Sequence, residues 1–271
     1  MKVRIIAAAV LLPLLLIILL LLPTAVTTVV CGLAAAVAAY ELLMGTGLVK
    51  NVRMVIYTAL MAFLVPLWCH FEMVSSAAVL AILLFTALLF MELLLSKGKL
   101  PVGQLGLCYI GGIVLPMLLA SLVRLLSLGY GRFYVLLPFL ISFTADTGAY
   151  FAGRFLGKHK LAPVISPNKT VEGLAGGVAG AVVGMLIYCV ILDLAFDFTA
   201  NYMYAVSYGI VGSLAAAFGD LSFSAIKRQT GIKDYGNLIP GHGGILDRLD
   251  SLMIVAPLTE VLLTFLPVVM K

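Results

Sequence analysis

The sequence predicts an all-α fold: a polytopic membrane bundle of about nine transmembrane helices, with the N-terminus cytoplasmic and the C-terminus outside. Three observations predict it. Hydrophobic residues fill 63% of the 271 positions and charged residues only 11%, against roughly 45–50% and about 25% in an ordinary soluble domain. Apolar runs recur at lengths near the 20 or so residues that a helix needs to cross the hydrocarbon core. The Lys and Arg residues between those runs gather on one side. With a mean hydropathy of +1.18, the chain offers water too much apolar surface. That excludes a soluble globular enzyme, a disordered chain and a fibrous repeat.

In order, the spans fall near Ile5–Leu22, Thr24–Met44, Val52–Cys69, Val74–Leu95, Val102–Leu126, Phe133–Gly153, Gly173–Ala195, Met203–Ala225 and Ser251–Val269. Lys2 and Arg4 ahead of the first run resemble the start of a signal peptide. The run exceeds the usual h-region of about 7–15 residues and no A-x-A site follows, so it reads as a retained span. Gly and Pro inside several spans are normal for helices in lipid. Cys31, Cys69, Cys108 and Cys189 lie in or beside apolar runs without a C-x-x-C pair, and read as small core residues.

The formal net charge of +5 is explained by orientation rather than by nucleic acid, because cytoplasmic loops collect Lys and Arg. With the N-terminus inside, fourteen of the seventeen cations are cytoplasmic, and only Arg124, Arg132 and Lys271 face out. Eight of the seventeen sit in two long cytoplasmic segments, about 154–172 and 226–250, together with two of the three histidines. A basic surface drawn to anionic headgroups would account for the charge alone.

The residues inside those segments say more. Segment 224–251 mixes both signs and holds five glycines, with Gly241, Gly243 and Gly244 around His242. Such a turn lets backbone amides approach a ligand, and it feeds a helix starting near Ile245, where an anion is favoured. Asp220, Ser224 and Lys227 share one helix face, as do Asp247 and Asp250. Carboxylates at membrane depth are costly and usually functional. Acids in a basic field suit Mg²⁺ held by one or two carboxylates plus substrate phosphates; pairing of Asp247 with Lys227 or Arg228 is the structural alternative.

Asp146 lies inside the sixth span, on the side of Tyr150 and Gly153 and close to Arg154. It reads equally as a site acid or as an interhelical hydrogen-bond anchor. Glu41 and Glu92 fall near cytoplasmic span ends, within reach of the interface. Glu260 lies deeper, with no role assigned. In the first segment, Ser166-Pro167 reads as a turn, and Lys169 and Glu172 flank the seventh span, where Thr170 and Glu172 can cap the helix. Gly173, Gly176, Gly177, Gly180 and Gly184 then give small-x-x-x-small spacings that read as close helix packing.

Two runs form a long gap-free pattern: Ser224-x-Ile226-Lys227-Arg228, four residues, Lys233-Asp234-x-Gly236; and Pro240-x-His242-Gly243-Gly244-x-x-Asp247-Arg248-x-Asp250. The pattern resembles the signature of the phosphatidate cytidylyltransferases, or CDP-diacylglycerol synthases. Asp146, the Ser166-Pro167-x-Lys169-x-x-Glu172-Gly173 element and Phe218-Gly219-Asp220 resemble that family's supporting features. The resemblance covers the C-terminal half, with the N-terminal half alike only in kind. It implies one integral domain, in which residues 1–130 supply N-terminal helices and 131–271 the catalytic helices and loops.

The resemblance also implies a reaction, CTP plus phosphatidate giving CDP-diacylglycerol plus pyrophosphate. It implies Mg²⁺ on Asp220 and Asp247, a second cation such as K⁺, a homodimer, and a bacterial inner membrane with the site facing the cytoplasm. Lys227, Arg228 and Arg248 join the two aspartates as catalytic residues. Asp146, Ser166, Lys169, Glu172, Ser224, Lys233, Asp234, His242, Gly243, Gly244 and Asp250 are expected at the substrates. The chemistry is coherent with this set. A phosphomonoester has a second pKa of about 6, so the attacking phosphate needs no strong base, and positioning with charge neutralisation suffices. His242 suits a hydrogen bond better than Mg²⁺, which prefers oxygen. A CTP-dependent polyprenol or phytol kinase must activate a neutral hydroxyl and lacks the full pattern. A transporter would show an internal repeat and polar residues at mid-membrane.

Overall fold

The computed structural model describes residues 2–70 and 75–270. Val74, the expected start of the fourth span, and Lys271, an outer cation, lie outside the described residues, as do the side chains of Lys2 and Arg4. The chain runs through α1 (Lys2–Leu20), α2 (Thr24–Gly45), α3 (Val52–His70), α4 (Ser75–Leu95), α5 (Val102–Leu126) and α6 (Gly131–Leu156). It continues with β1 (Lys160–Ala162), β2 (Ser166–Thr170), α7 (Val171–Phe196), β3 (Thr199–Ala200) and α8 (Tyr202–Gln229). The last elements are α9 (Leu246–Leu249), α10 (Leu252–Phe265) and β4 (Val269–Met270).

Among the described residues, seven helices, α2 through α8, are long and apolar enough to cross a membrane. Their surfaces fit that solvent. On α4, Val79, Leu83, Leu94 and Leu95 are each more than 60% exposed, which hydrocarbon tolerates and water does not. The helix of the first apolar run, α1, is 19 residues long. With 14 residues, α10 is too short for that set.

The chain forms two compact units, Met1–Arg132 with Lys227–Leu249, and Phe133–Ile226 with Asp250–Lys271. In the first, α2 and α3 pack closely because Gly32 leaves room: a Cβ there would lie 2.8 Å from the Phe63 carbonyl oxygen. The core gathers Leu43, Met54, Met61, Phe85, Leu89 and Cys108. Both α2 and α5 contain a π-helical turn, at Glu41–Gly45 and Ile110–Val114. Such turns are rare and frequently mark functional positions.

In the second unit α6 lies along α7, and the glycine spacing read from the sequence is what permits it. A Cβ on Gly180 would sit 2.6 Å from the Thr144 carbonyl oxygen, and one on Gly184 would sit 2.6 Å from Thr144 Cγ2. Gly148 and Gly176 face each other's backbone. Close backbone approach of this kind drives association in lipid, where hydrophobic burial contributes little. Cys31, Cys108 and Cys189 are buried and all four cysteines are free, as expected of core residues.

Four departures from the sequence expectation have local causes. The segment after α6 is not a bare loop. Pro163 and Pro167 exclude helix, and β1 and β2 pair as a hairpin with Lys160 opposite Thr170 and Ala162 opposite Ser166. A second two-stranded pair, β3 with β4, joins Thr199–Ala200 to Val269–Met270, so the fold is helical with two small sheets rather than strictly all-α. The ninth apolar run stops being helical at Phe265, since Pro267 disfavours helix in the residue before it. Finally, α8 runs past the expected span end at Ala225 to Gln229, which puts Arg228 on the same helix as Asp220, Ser224 and Lys227.

Candidate active site

In the second unit, β2 delivers Lys169 and α7 begins immediately after it. Thr170 caps α7, accepting the Gly173 N–H at Oγ1 over 3.0 Å. Glu172 instead turns back to the start of the hairpin: its carboxylate accepts the Lys158 and His159 amides at 3.0 and 3.2 Å, and His159 Nδ1 lies 2.6 Å from Oε1. The hairpin is therefore fixed at its base by an acid, and Lys169 is aimed by it. Lys169 Nζ meets Asp220 Oδ2 on α8 at 2.5 Å. The other Asp220 oxygen accepts from Ser224 Oγ, one helical turn on, at 3.2 Å.

A cavity of about 500 Å³ opens in the same unit, within the usual range for a ligand pocket of roughly 300–1,000 Å³. Asp146, Tyr150, Arg154, Lys169 and Ser213 line it, over small residues such as Gly177 and Ala216. Asp146 is exposed in that lining. Arg154 Nη1 donates to the Tyr150 hydroxyl at 2.7 Å. Asp146, Tyr150, Gly153 and Arg154, expected on one side of the helix, all reach the cavity. Asp250 Oδ1 accepts the Ser251 N–H at 2.7 Å.

In the first unit, segment 230–249 folds around two buried carboxylates. Asp247 Oδ1 takes the Lys227 ammonium at 2.8 Å, and Oδ2 accepts the amides of Tyr235 at 2.8 Å and Gly244 at 3.0 Å. Lys227 also stands over the Tyr235 ring, 5.3 Å from its centroid. Glu41, from the π turn of α2, accepts the Ile245 amide at 3.1 Å and the Leu246 amide at 2.8 Å. Gly241 and Gly243 adopt φ of +76° and +86°, a region only glycine enters without strain. An Ile239–Gly243 bridge closes the turn between them.

The last amide of the glycine run and the first two of the following helix start, expected to favour an external anion, are thus committed. Those of Gly244, Ile245 and Leu246 bind the protein's own carboxylates. The pairing alternative for Asp247 is realised, with Lys227 as the partner. Arg228, Lys233, Asp234 and Arg248 are exposed, and Ser166 is half-buried on β2. His242 donates its amide to Ile239, while its Nδ1 is enclosed with no hydrogen-bond partner among the described residues. Glu41 and Glu92, expected at the interface, are both 4% exposed. Glu92 is held by Asn51 and Arg53 at 2.9 Å each. Glu41 lies outside the sequence pattern yet is bound into segment 230–249; the signal available was an acid inside an apolar run.

Among the described residues no three His, Cys, Asp or Glu side chains form a metal cluster. Mg²⁺ does not require one, since it binds through one or two carboxylates plus phosphate and water. Half-buried Asp220 offers oxygen donors of that kind beside Lys169, whereas both oxygens of buried Asp247 are engaged by Lys227 and two amides.

The profile of the Cytidylyltransferase family matches residues 2–266. Proteins named phosphatidate cytidylyltransferase from Staphylococcus haemolyticus and Staphylococcus aureus are 45% identical over 133 residues, 49% of this chain and 50% of theirs. One from Staphylococcus epidermidis is 46% identical over the same length. The matched stretch thus spans about half the length of these curated relatives. With nearly all of its length inside the family profile, the chain belongs to the cytidylyltransferase family.

Proposed function

We propose that this protein is an integral membrane enzyme that transfers the cytidylyl group of CTP to phosphatidate, giving CDP-diacylglycerol and pyrophosphate. One observation carries the reading. The two halves of the signature run are joined in the folded chain by the Lys227–Asp247 pair, so the pattern is an assembled constellation and not a chance string. Family membership and the names of the relatives support it.

An oxygen of the phosphatidate phosphate attacks the α-phosphorus of CTP, the bond from that phosphorus to the bridging oxygen breaks, and pyrophosphate leaves with the electron pair. The attacking phosphate is already mostly ionised at neutral pH, so the residues must position and neutralise rather than abstract a proton. Lys169, Lys227, Arg228, Lys233 and Arg248 supply the positive charge. The first two are held by Asp220 and Asp247. Mg²⁺, assigned to Asp220 and Asp247, would neutralise phosphate charge when bound. Asp146 and Arg154 border the cavity that suits a substrate, and the enclosed Nδ1 of His242 suits a hydrogen bond to one. The same resemblance is the ground for proposing a second cation and a homodimer.

The charge partition supports nine crossings, with the N-terminus and both long segments in the cytoplasm, where CTP is found. The protein in liposomes should form CDP-diacylglycerol from CTP and phosphatidate only when Mg²⁺ is present. No product across several acyl chains and divalent cations would overturn the reading.

A further inference from the structure

We infer that Glu41, on the N-terminal helix α2, is a positioning residue for this reaction: it sets the turn that presents Asp247. The inference rests on the proposed transfer for what the turn presents, but on its own geometry for how the turn is held. Glu41 is 4% exposed. Its two oxygens are divided between two successive amides, Ile245 to Oε1 and Leu246 to Oε2. The amide immediately before them, Gly244, goes to Asp247. Three consecutive N–H groups therefore wrap onto two carboxylates, one from the N-terminal half of the sequence and one from the signature. The position of Asp247 relative to its own turn follows from that arrangement.

The glycines of the signature are shaped to Glu41. A Cβ on Gly236 would lie 2.9 Å from the Glu41 carboxyl carbon, and one on Gly244 would lie 2.5 Å from it. Two glycines of the pattern, eight residues apart, are thus seats for one carboxylate. Gly45 makes the same fit from the other side: a Cβ there would come within 3.2 Å of the Tyr235 carbonyl carbon. Tyr235 in turn gives its amide to Asp247 and its ring to Lys227. The π turn at Glu41–Gly45 carries both Glu41 and Gly45.

A plain cap does not require this arrangement. Ser, Thr or Asn would cap a helix start without the cost of enclosing a carboxylate. What a carboxylate adds is two strong acceptors on one rigid group, and charge-assisted bonds are roughly twice as strong as neutral ones. α2 thereby belongs to the catalytic apparatus, and not only to the scaffold.

The test compares Glu41→Ala, Glu41→Asp and Glu41→Gln with the wild type in detergent and liposomes. It follows CDP-diacylglycerol formation and hydrogen exchange at residues 235–247. Losing charge-assisted bonds at this site should lower kcat/KM for CTP by about tenfold to a hundredfold in Glu41→Ala. Exchange should quicken at Gly244–Asp247 and stay unchanged in α6 and α7. Glu41→Gln, which keeps one acceptor, should recover part of both; Glu41→Asp, too short by one methylene, should recover less. If Glu41→Ala does not fold, the Gln and Asp variants decide. Wild-type kinetics and exchange in them, or activity lost only in proportion to unfolded protein, would overturn the inference. Should the wild type make no CDP-diacylglycerol, the functional reading fails by itself, and exchange at 235–247 still decides whether Glu41 holds the turn.

Discussion

Lys227 and Asp247, twenty residues apart in sequence, form a buried ion pair in which Nζ lies 2.8 Å from Oδ1 and the side chains are 10% and 2% exposed. Two amides complete the aspartate's coordination, so its charge is met on both oxygens. Such a pair fixes geometry more than it adds net stability. Replacing it by well-packed apolar groups is often neutral, whereas removing one partner leaves a buried charge.

Lys227→Met should therefore destabilise the protein by about 3 kcal/mol, read as a lowered unfolding midpoint in detergent. The double variant Lys227→Met with Asp247→Asn, which removes both charges and keeps an acceptor for the two amides, should regain part of that stability while remaining inactive. Equal stability of the single variant and the wild type would mean that the ion pair does not hold the segment.

The other lysine–aspartate pair behaves differently. Lys169 and Asp220 are half-buried, 27% and 31% exposed, so water screens the pair more than the buried one and its contribution falls to about 1 kcal/mol. Asp220→Asn should leave the unfolding midpoint nearly unchanged but lower turnover on the order of a hundredfold, the scale of losing one electrostatic group at a reacting centre. Turnover within twofold of wild type at several Mg²⁺ concentrations would remove Asp220 from the site.

Glycines in this chain divide into two kinds that a stability assay can separate. Gly180→Ala puts a Cβ 2.6 Å from the Thr144 carbonyl oxygen and should destabilise by about 1–3 kcal/mol, as overpacking does. Gly106→Ala on α5 meets nothing within 4 Å, and should be neutral or stabilising by about 0.5–1 kcal/mol. Thermal unfolding of the two variants side by side checks the assignment of α6–α7 as a glycine-packed pair.

The orientation can be read with thiol chemistry. Val164, in the hairpin turn, is 87% exposed, while Cys31, Cys108 and Cys189 are buried, so a Val164→Cys variant on a Cys69→Ser background has little competition. A membrane-impermeant maleimide should label it in inside-out vesicles and not in intact cells, and a tag after Lys271 should be reached from outside. The opposite pattern at either position would overturn the nine-crossing orientation.

The class of fold followed from composition, because 63% hydrophobic residues leave a chain no soluble alternative, and the starts of α2, α3 and α5 follow directly from runs long enough to span lipid. The glycines of α7 were legible for a similar reason: small residues at four-residue spacing have one dominant use in a membrane helix. The ends of α8 and α10 were not, since whether polar residues such as Lys227 continue a helix or a proline ends it is decided by partners the local pattern does not name.

By itself, the sequence determined the membrane class, the clustering of charge in two segments, and the signature that points to cytidylyl transfer. Those depend on residue type and spacing along the chain. The tertiary structure alone decided which carboxylate meets which donor: Asp247 with Lys227, Asp220 with Lys169, and Glu41 with the amides of Ile245 and Leu246, some two hundred residues away. A buried carboxylate must find donors wherever folding brings them, and that distance in sequence leaves no periodicity to read.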